Sequence, residues 1–251
     1  MAIKTRKISD WLSANGQAVT NASKATMEDA IRTDIGQLYD GVFIMFHRKS
    51  DNYPLAVRVS SWASYQTGGE IAEGVLLVEG GKHLVIAPTE ASSAKWSSKP
   101  VSSSDTSGSV QISGVTTTSD RIAALNDFAG RANTTAIING STSSNVTNTE
   151  DYAAGFCNRY SRTNANGKGL TAGRWWLPSI GEMAMIWANF DKINYALSKI
   201  NGATQLQTTW YWTSTQGSAT LAWYLRLNDG SVGYNYKFNQ RRVRPVSAFL
   251  N

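Results

Sequence analysis

The chain has one cysteine, Cys157, and two histidines, His47 and His83, among 251 residues. A lone cysteine excludes an internal disulfide and any cysteine-rich metal site. Two histidines far apart in sequence make no His-based metal or catalytic cluster, so neither metal nor cofactor is expected. No window approaches the apolar length that spans a bilayer, so no membrane insertion is expected. The opening MAIKTRKISDWL carries charge without an apolar run behind it, which points to synthesis without a secretory leader. Net charge is +6, but the one tight basic cluster, Arg241, Arg242 and Arg244, falls in a strand pattern that splits it between faces. A nucleic-acid partner needs a basic stripe and is not expected.

What is present is core material, at 41% hydrophobic residues, with only 17% charged. The surplus of Ser, Thr, Asn and Gly suits β-rich extracellular or virion proteins. Nine Trp and ten Tyr exceed what a core needs, and both types are favoured at recognition surfaces.

Met27, Ile31, Ile35 and Leu38 recur at helical spacing behind a Thr26–Asp29 capping pair. Strands are expected at Val42–Phe46 and Leu55–Trp62. Residues 1–73 therefore read as an N-terminal helix and β-hairpin region for attachment or oligomerisation. From Gly74 a main domain runs to residue 251, opening on a hairpin about Glu79-Gly80-Gly81-Lys82. Thr89–Thr118 reads as a long polar connection anchored by Trp96. Ser119 is expected to cap a helix with Ile122, Leu125, Phe128 and Ala129 on one side. Thr134–Asn148 reads as a polar loop, whose Asn-Xaa-Ser/Thr triplets at Asn133, Asn139 and Asn145 are chance matches in a Ser/Thr/Asn-rich stretch. Tyr152, Phe156 and Tyr160 mark another helix, with Cys157 buried in it as a small apolar residue. Ser179 and Glu182 spell a capping box, and the helix behind it is expected to run through Leu197.

The tail, about residues 210–246, has a different character. Trp223, Leu225 and Leu227 alternate with Tyr224, Arg226 and Asn228, so one strand face is apolar and the other displays Tyr, Arg and Asn. Asn228-Asp229-Gly230 signals a hairpin turn. Tyr, Ser, Gly, Asn and Arg are the palette of antibody paratopes, because Tyr offers contact area at low entropy cost while small polar residues adapt. A merely solvated face would carry Lys, Glu and Thr instead of so many aromatics.

Four blocks, AAGFCNRY (Ala153–Tyr160), GRWWLPSIGEM (Gly173–Met183), YWTST (Tyr211–Thr215) and RVRPV (Arg242–Val246), resemble in order one group of C-type-lectin-fold proteins. These are bacterial and phage members of the Fibrobacter major-paralogous type. The resemblance spans about Gly74 to Phe249 and implies an α+β fold of twisted antiparallel sheets flanked by helices. The tail further resembles the variable region of proteins diversified by a retroelement through adenine-directed mutagenesis. The resemblance makes Tyr224, Arg226, Asn228, Ser231, Gly233, Tyr234, Asn235, Tyr236, Phe238, Asn239, Gln240 and Arg241 ligand-binding positions. Ala222, Trp223, Leu225, Leu227, Asp229, Gly230, Val232 and Lys237 make the constant frame.

The function this resemblance implies is that of a non-enzymatic phage receptor-binding protein at a tail-fibre tip. Its partner is a bacterial surface protein or glycan, and its N-terminal region joins a virion partner or sister chains as a trimer. A bacterial surface display or adhesion protein of the same fold is the alternative. Calcium-lectin motifs are missing: Leu227-Asn228-Asp229 stands without the Trp such a motif uses. The fold-related formylglycine-generating enzymes, a second alternative, need a thiol pair that one Cys157 does not supply.

Overall fold

The computed structural model describes residues 40–249, apart from 106 and 108–110. The helix expected near Met27–Leu38, and its attachment role, lie outside these residues. Strands β1 (Gly41–His47) and β2 (Pro54–Arg58) form a first hairpin, followed by helix α1 (Trp62–Thr67). Strands β3 (Gly74–Glu79) and β4 (Lys82–Ile86) form a second, and β5 (Ala91–Lys95) follows. Helices α2 (Arg121–Leu125), α3 (Gly130–Asn139), α4 (Ser141–Ser144) and α5 (Ala153–Arg159) come next. A small β6 (Arg162–Thr163) and β7 (Gly169–Leu170) ribbon precedes α6 (Ile180–Ala188) and α7 (Phe190–Leu197). Strands β8 (Trp210–Gln216), β9 (Leu221–Arg226), β10 (Val232–Tyr236), β11 (Gln240–Val243) and β12 (Val246–Ser247) complete the chain.

This is an α+β unit with almost wholly antiparallel sheets. The first sheet runs β12-β4-β3-β1-β2, and the second runs β10-β9-β8-β11-β5. In the second, β8 and β11 are parallel neighbours, with Tyr211 opposite Arg242. The Gly80-Gly81 turn forms as expected, both glycines having positive φ, 54° and 76°, which the tight hairpin turn requires. The expected boundary at Gly74 moves. Strand β1 pairs with β3 from Gly41↔Val78 to Met45↔Gly74, so the first hairpin belongs to the same sheet as the second. Its run Ile44, Met45 and Phe46 is buried, and β1 lies between β3 and β2 in that sheet.

Two cores share the second sheet. On one face, Tyr211, Trp223 and Leu225 meet Ile44, Phe46, Leu77 and Ile86 of the first sheet, together with Ile180, Met183 and Ile193 of α6 and α7. On the other, Trp212, Ala222 and Val243 meet Ile137 of α3 and Ala153, Ala154 and Cys157 of α5. Strand β8 is therefore buried from Tyr211 to Gln216, and its hydroxyls must find partners. Thr213 Oγ1 donates to the Trp223 carbonyl at 2.8 Å, and Thr215 Oγ1 donates to Asp127 Oδ2 at 2.6 Å.

The capping box at α6 is complete: Ser179 Oγ accepts from Glu182 N–H, and Glu182 Oε2 accepts from Ser179 N–H at 2.8 Å. Trp176 Nε1 donates to the same carboxyl oxygen at 3.1 Å. Burial, assisted by the nearby Asp127 carboxylate, pushes the Glu182 acid up to about 7 against those bonds. The folded state thus holds this proton more tightly than the unfolded chain does. Glu182 favours folding fully below its ordinary value of 4.5, and that contribution is lost as pH rises through about 7. Glu182→Gln keeps a capping side chain. Thermal melts across that window are expected to show a decline with pH in the wild type that is shallower in the variant. Parallel pH profiles would mean Glu182 is not the titrating group.

Several local expectations give way to tertiary contacts. The strand from Leu55 stops at Arg58, and Trp62 instead opens α1, buried against Phe46 with ring centroids 5.4 Å apart. The connection from Thr89 contains β5, which pairs with β11 at Ala94↔Arg241. Helix α2 is capped by Asp120, which accepts from Ala123 N–H at 2.6 Å, not by Ser119. It ends at Leu125, leaving Ile122 exposed and Phe128 beyond it. Residues Thr134 to Asn139 continue α3, where Thr134 Oγ1 accepts from Leu177 N–H at 3.0 Å. Asn133 is buried and its amide donates to Asp127 Oδ2 at 3.0 Å, consistent with a chance triplet. The helix after Ser179 breaks at Asn189, whose amide donates to Glu79 Oε2 at 2.9 Å.

Candidate ligand-binding face

Strand β9 alternates as its sequence implies. Ala222, Trp223, Leu225 and Leu227 are buried, Tyr224 and Arg226 are half-buried, and Asn228 is exposed. The Asn228-Asp229-Gly230 turn forms. Arg226 and Ser231 close it through Arg226 N–H donating to the Ser231 carbonyl at 2.9 Å, and Gly230 takes φ 71°. Asp229 Oδ1 accepts from Ser231 N–H at 3.0 Å, pinning the loop. That bond, ahead of the charge of Arg226, holds the Asp229 carboxyl below its ordinary value.

All twelve candidate positions are at least partly exposed, but they do not share one surface. Strand β10 pairs with β9 as Val232↔Leu225, Gly233↔Tyr224 and Tyr234↔Trp223. Cross-strand partners share a face, so Gly233 and Asn235 lie with Tyr224 and Arg226, whereas Tyr234 and Tyr236 lie with Trp223. Tyr234 meets Trp223 edge-on at 5.1 Å, and Tyr236 stacks on Phe238 at 5.5 Å. Tyr234 and Tyr236 of the edge strand β10 and Phe238 just beyond it form an aromatic strip. Ser231, Asn228 and Gln240 are exposed, with Gln240 Oε1 accepting from Ser93 Oγ at 2.9 Å.

The first group converges on Arg241. Its guanidinium lies 4.3 Å from the Tyr224 ring centre, 5.1 Å from that of Trp212 and 5.3 Å from that of Trp210. Arg226 lies 5.1 Å from the Trp210 ring, and Trp210 meets Tyr224 edge-on at 6.4 Å. The Arg226 guanidinium is 3.3 Å from Asp229 Oδ2. Asn239 Nδ2 donates to Asn235 Oδ1 at 2.9 Å, and the Trp212 indole donates to the Asn239 carbonyl at 3.2 Å. Gly233 leaves room for the Tyr224 ring to cross β10, because a Cβ there would sit 2.8 Å from the Tyr224 hydroxyl. Trp210, 41% exposed at the mouth of this cluster, is a member that the twelve positions omit. Its signal in the sequence was its place two residues before Trp212, at the start of the same strand.

Of the frame residues, Ala222, Trp223, Leu225, Leu227 and Lys237 are buried, whereas Asp229, Gly230 and Val232 are at least partly exposed. Lys237 is buried, its ammonium donating to Gln216 Oε1 at 2.6 Å and the Ala219 carbonyl at 2.9 Å, over the Trp96 ring. Burial pushes that ammonium down to about 7. Cys157 is buried in the second core, and desolvation pushes its thiol up, the setting of a packed side chain. Among the described residues no group of three His, Cys, Asp or Glu side chains is arranged to hold a metal, and no helix is long and apolar enough to cross a membrane.

Residues 131–247 match the family model of the Lcl C-terminal domain, a span that runs from the second residue of α3 through β12 and includes the whole Arg241 cluster. Among solved structures, a fimbrial protein from Bacteroides ovatus is similar at 20% identity and a TM-score of 0.45, over 66% of this chain. This chain spans 36% of that protein's length. No curated protein matches the chain.

Proposed function

We propose that this chain is a non-enzymatic ligand-binding protein of the adhesion type, of C-type lectin fold, whose second sheet presents a recognition face for a molecule on a bacterial surface. The observation that carries this is the Arg241 cluster: Trp210, Tyr224 and two guanidinium groups gathered on the adjacent strands β9, β8 and β11 instead of scattered over the surface. Trp, Tyr and Arg are the side chains that dominate binding energy at protein interfaces. A sheet packed on both faces holds them with little ordering left to do on binding. The twelve half-buried or exposed positions over a buried frame of Trp223, Leu225, Leu227 and Lys237 are the arrangement that retroelement diversification would need. A virion is the carrier we infer, with the bacterial surface as the alternative. Flanking DNA tests diversification: a near-copy of the 3′ end with Asn codons at these positions, beside a reverse transcriptase, is the expected finding.

Two double variants divide the surface. Trp210→Ala with Tyr224→Ala is expected to reduce attachment of labelled protein to a panel of bacterial strains tenfold or more, about 1.4 kcal/mol. Tyr234→Ala with Tyr236→Ala, on the edge strip, is expected to cost less. Both should stay folded by circular dichroism, with some loss of melting temperature in the first pair because Tyr224 packs against the second core. Undiminished attachment by the first pair would sink the reading.

A further inference from the structure

We propose that Arg241 receives a single carboxylate of a protein ligand, an Asp or Glu side chain that sits against Trp210 and Tyr224. This rests on reading the Arg241 cluster as the ligand face, and it names what that face takes.

The other cations of the tail are already engaged. Arg242 and Arg244 are held by Glu90 at 2.7 and 2.8 Å. Lys237 is turned inward onto Gln216 and Ala219. Arg226 has Asp229 beside it. Arg241 has no carboxylate within ion-pair distance among the described residues, and its Nε is buried without an acceptor. The hydrogen bonds that remain to it are those of its two Nη nitrogens. A guanidinium edge of that kind matches a planar carboxylate through two parallel bonds.

Solvation favours the same ligand. Three aromatic rings have already stripped much of the water from the Arg241 cation. Part of the desolvation that ordinarily offsets an interfacial ion pair has therefore been met during folding. A polyanion such as a sulfated polymer gains affinity from many cations acting together. This face offers one unpaired cation, walled by aromatics, with the Asp229 carboxylate at its rim. That combination suits an isolated acid set in apolar protein surface.

The test pans a random peptide display library on the full chain. Selected peptides are expected to share an Asp or Glu, and changing it to Asn or Gln should weaken binding tenfold or more. Arg241→Gln should lose as much, while Arg241→Lys, which keeps charge but not the fork, should recover only part. Both variants should stay folded, since no protein acceptor is orphaned, with a small loss of melting temperature in Arg241→Gln from the lost ring contacts. Peptides that require Tyr224 but no acid would overturn the carboxylate inference and leave the ligand face standing. Peptides indifferent to both Tyr224→Ala and Arg241→Gln would remove the ligand face as well, while the selection of no peptides at all would overturn the carboxylate inference. Heparin binding that needs Arg241 and that acidic peptides fail to compete would replace the inference with a polyanion site.

Discussion

Glu90→Ala is expected to cost about 3–5 kcal/mol of folding stability, the range for breaking a buried ion pair from one side. Glu90 stands where the chain leaves the first sheet for the second, between β4 and β5. Arg242 and Arg244 flank the point where it returns, between β11 and β12. The Glu90 carboxylate accepts from Arg242 Nη1 at 2.7 Å, from Arg244 Nη2 at 2.8 Å and from the Tyr211 hydroxyl at 2.8 Å. Arg244 is wholly buried and also donates to the Ala87 and Thr204 carbonyls at 2.9 and 3.0 Å. Those carbonyls solvate the guanidinium but carry no countercharge, so without Glu90 a full positive charge is left in the interior. Urea titration should show a lower midpoint with an unchanged slope. Adding Arg244→Met to Glu90→Ala should return a large part of the loss, since the stranded charge goes with it. A Glu90→Ala unfolding free energy within about 0.5 kcal/mol of wild type, the range of an ordinary surface change, would show that the pair is not a stabilising element.

Gly155→Ala is expected to destabilise by about 1–3 kcal/mol, the range for overpacking, although the same change in an ordinary helix interior stabilises by about 1 kcal/mol. Gly155 lies in α5, where the helix rests on the backbone of residues 147–149. A Cβ there would meet the Thr149 carbonyl oxygen, with Thr149 N at 2.7 Å and the Thr147 carbonyl oxygen at 2.8 Å. These are main-chain atoms, which cannot swing aside as a side chain would. The sign is therefore the informative quantity. A higher melting temperature for the alanine variant would mean that α5 does not sit this close to the loop.

The parts of the fold legible in the sequence were those whose cause is local. The Gly80-Gly81 turn, the Ser179–Glu182 capping box and the alternation of β9 each need only neighbouring residues. Strand β5 has no such cause: ASSAK acquires its conformation by pairing with β11, nearly a hundred and fifty residues on, as the Ser93–Gln240 bond shows. The run from Thr134 reads as loop because Ser, Thr and Asn compete for the backbone, yet in α3 the Asn133 and Thr134 side chains are occupied by Asp127 and Leu177 instead. At the candidate face, alternation identified Tyr224, Arg226 and Asn228 and the family resemblance supplied the other positions, but neither told which of them meet. The β9–β10 register pairs even-numbered positions of one strand with odd-numbered positions of the other, which sent Tyr234 and Tyr236 to the opposite side from Tyr224.

Gly233, beneath the Tyr224 ring, carries an implication for evolvability. Any other residue at 233 introduces an atom in contact with that phenol, which in turn lies against Arg241. Positions 224, 233 and 241 are therefore epistatic. If this tail is rewritten residue by residue, its functional repertoire is far smaller than the product of independent choices, and a change at 233 resets which residues at 224 and 241 are compatible.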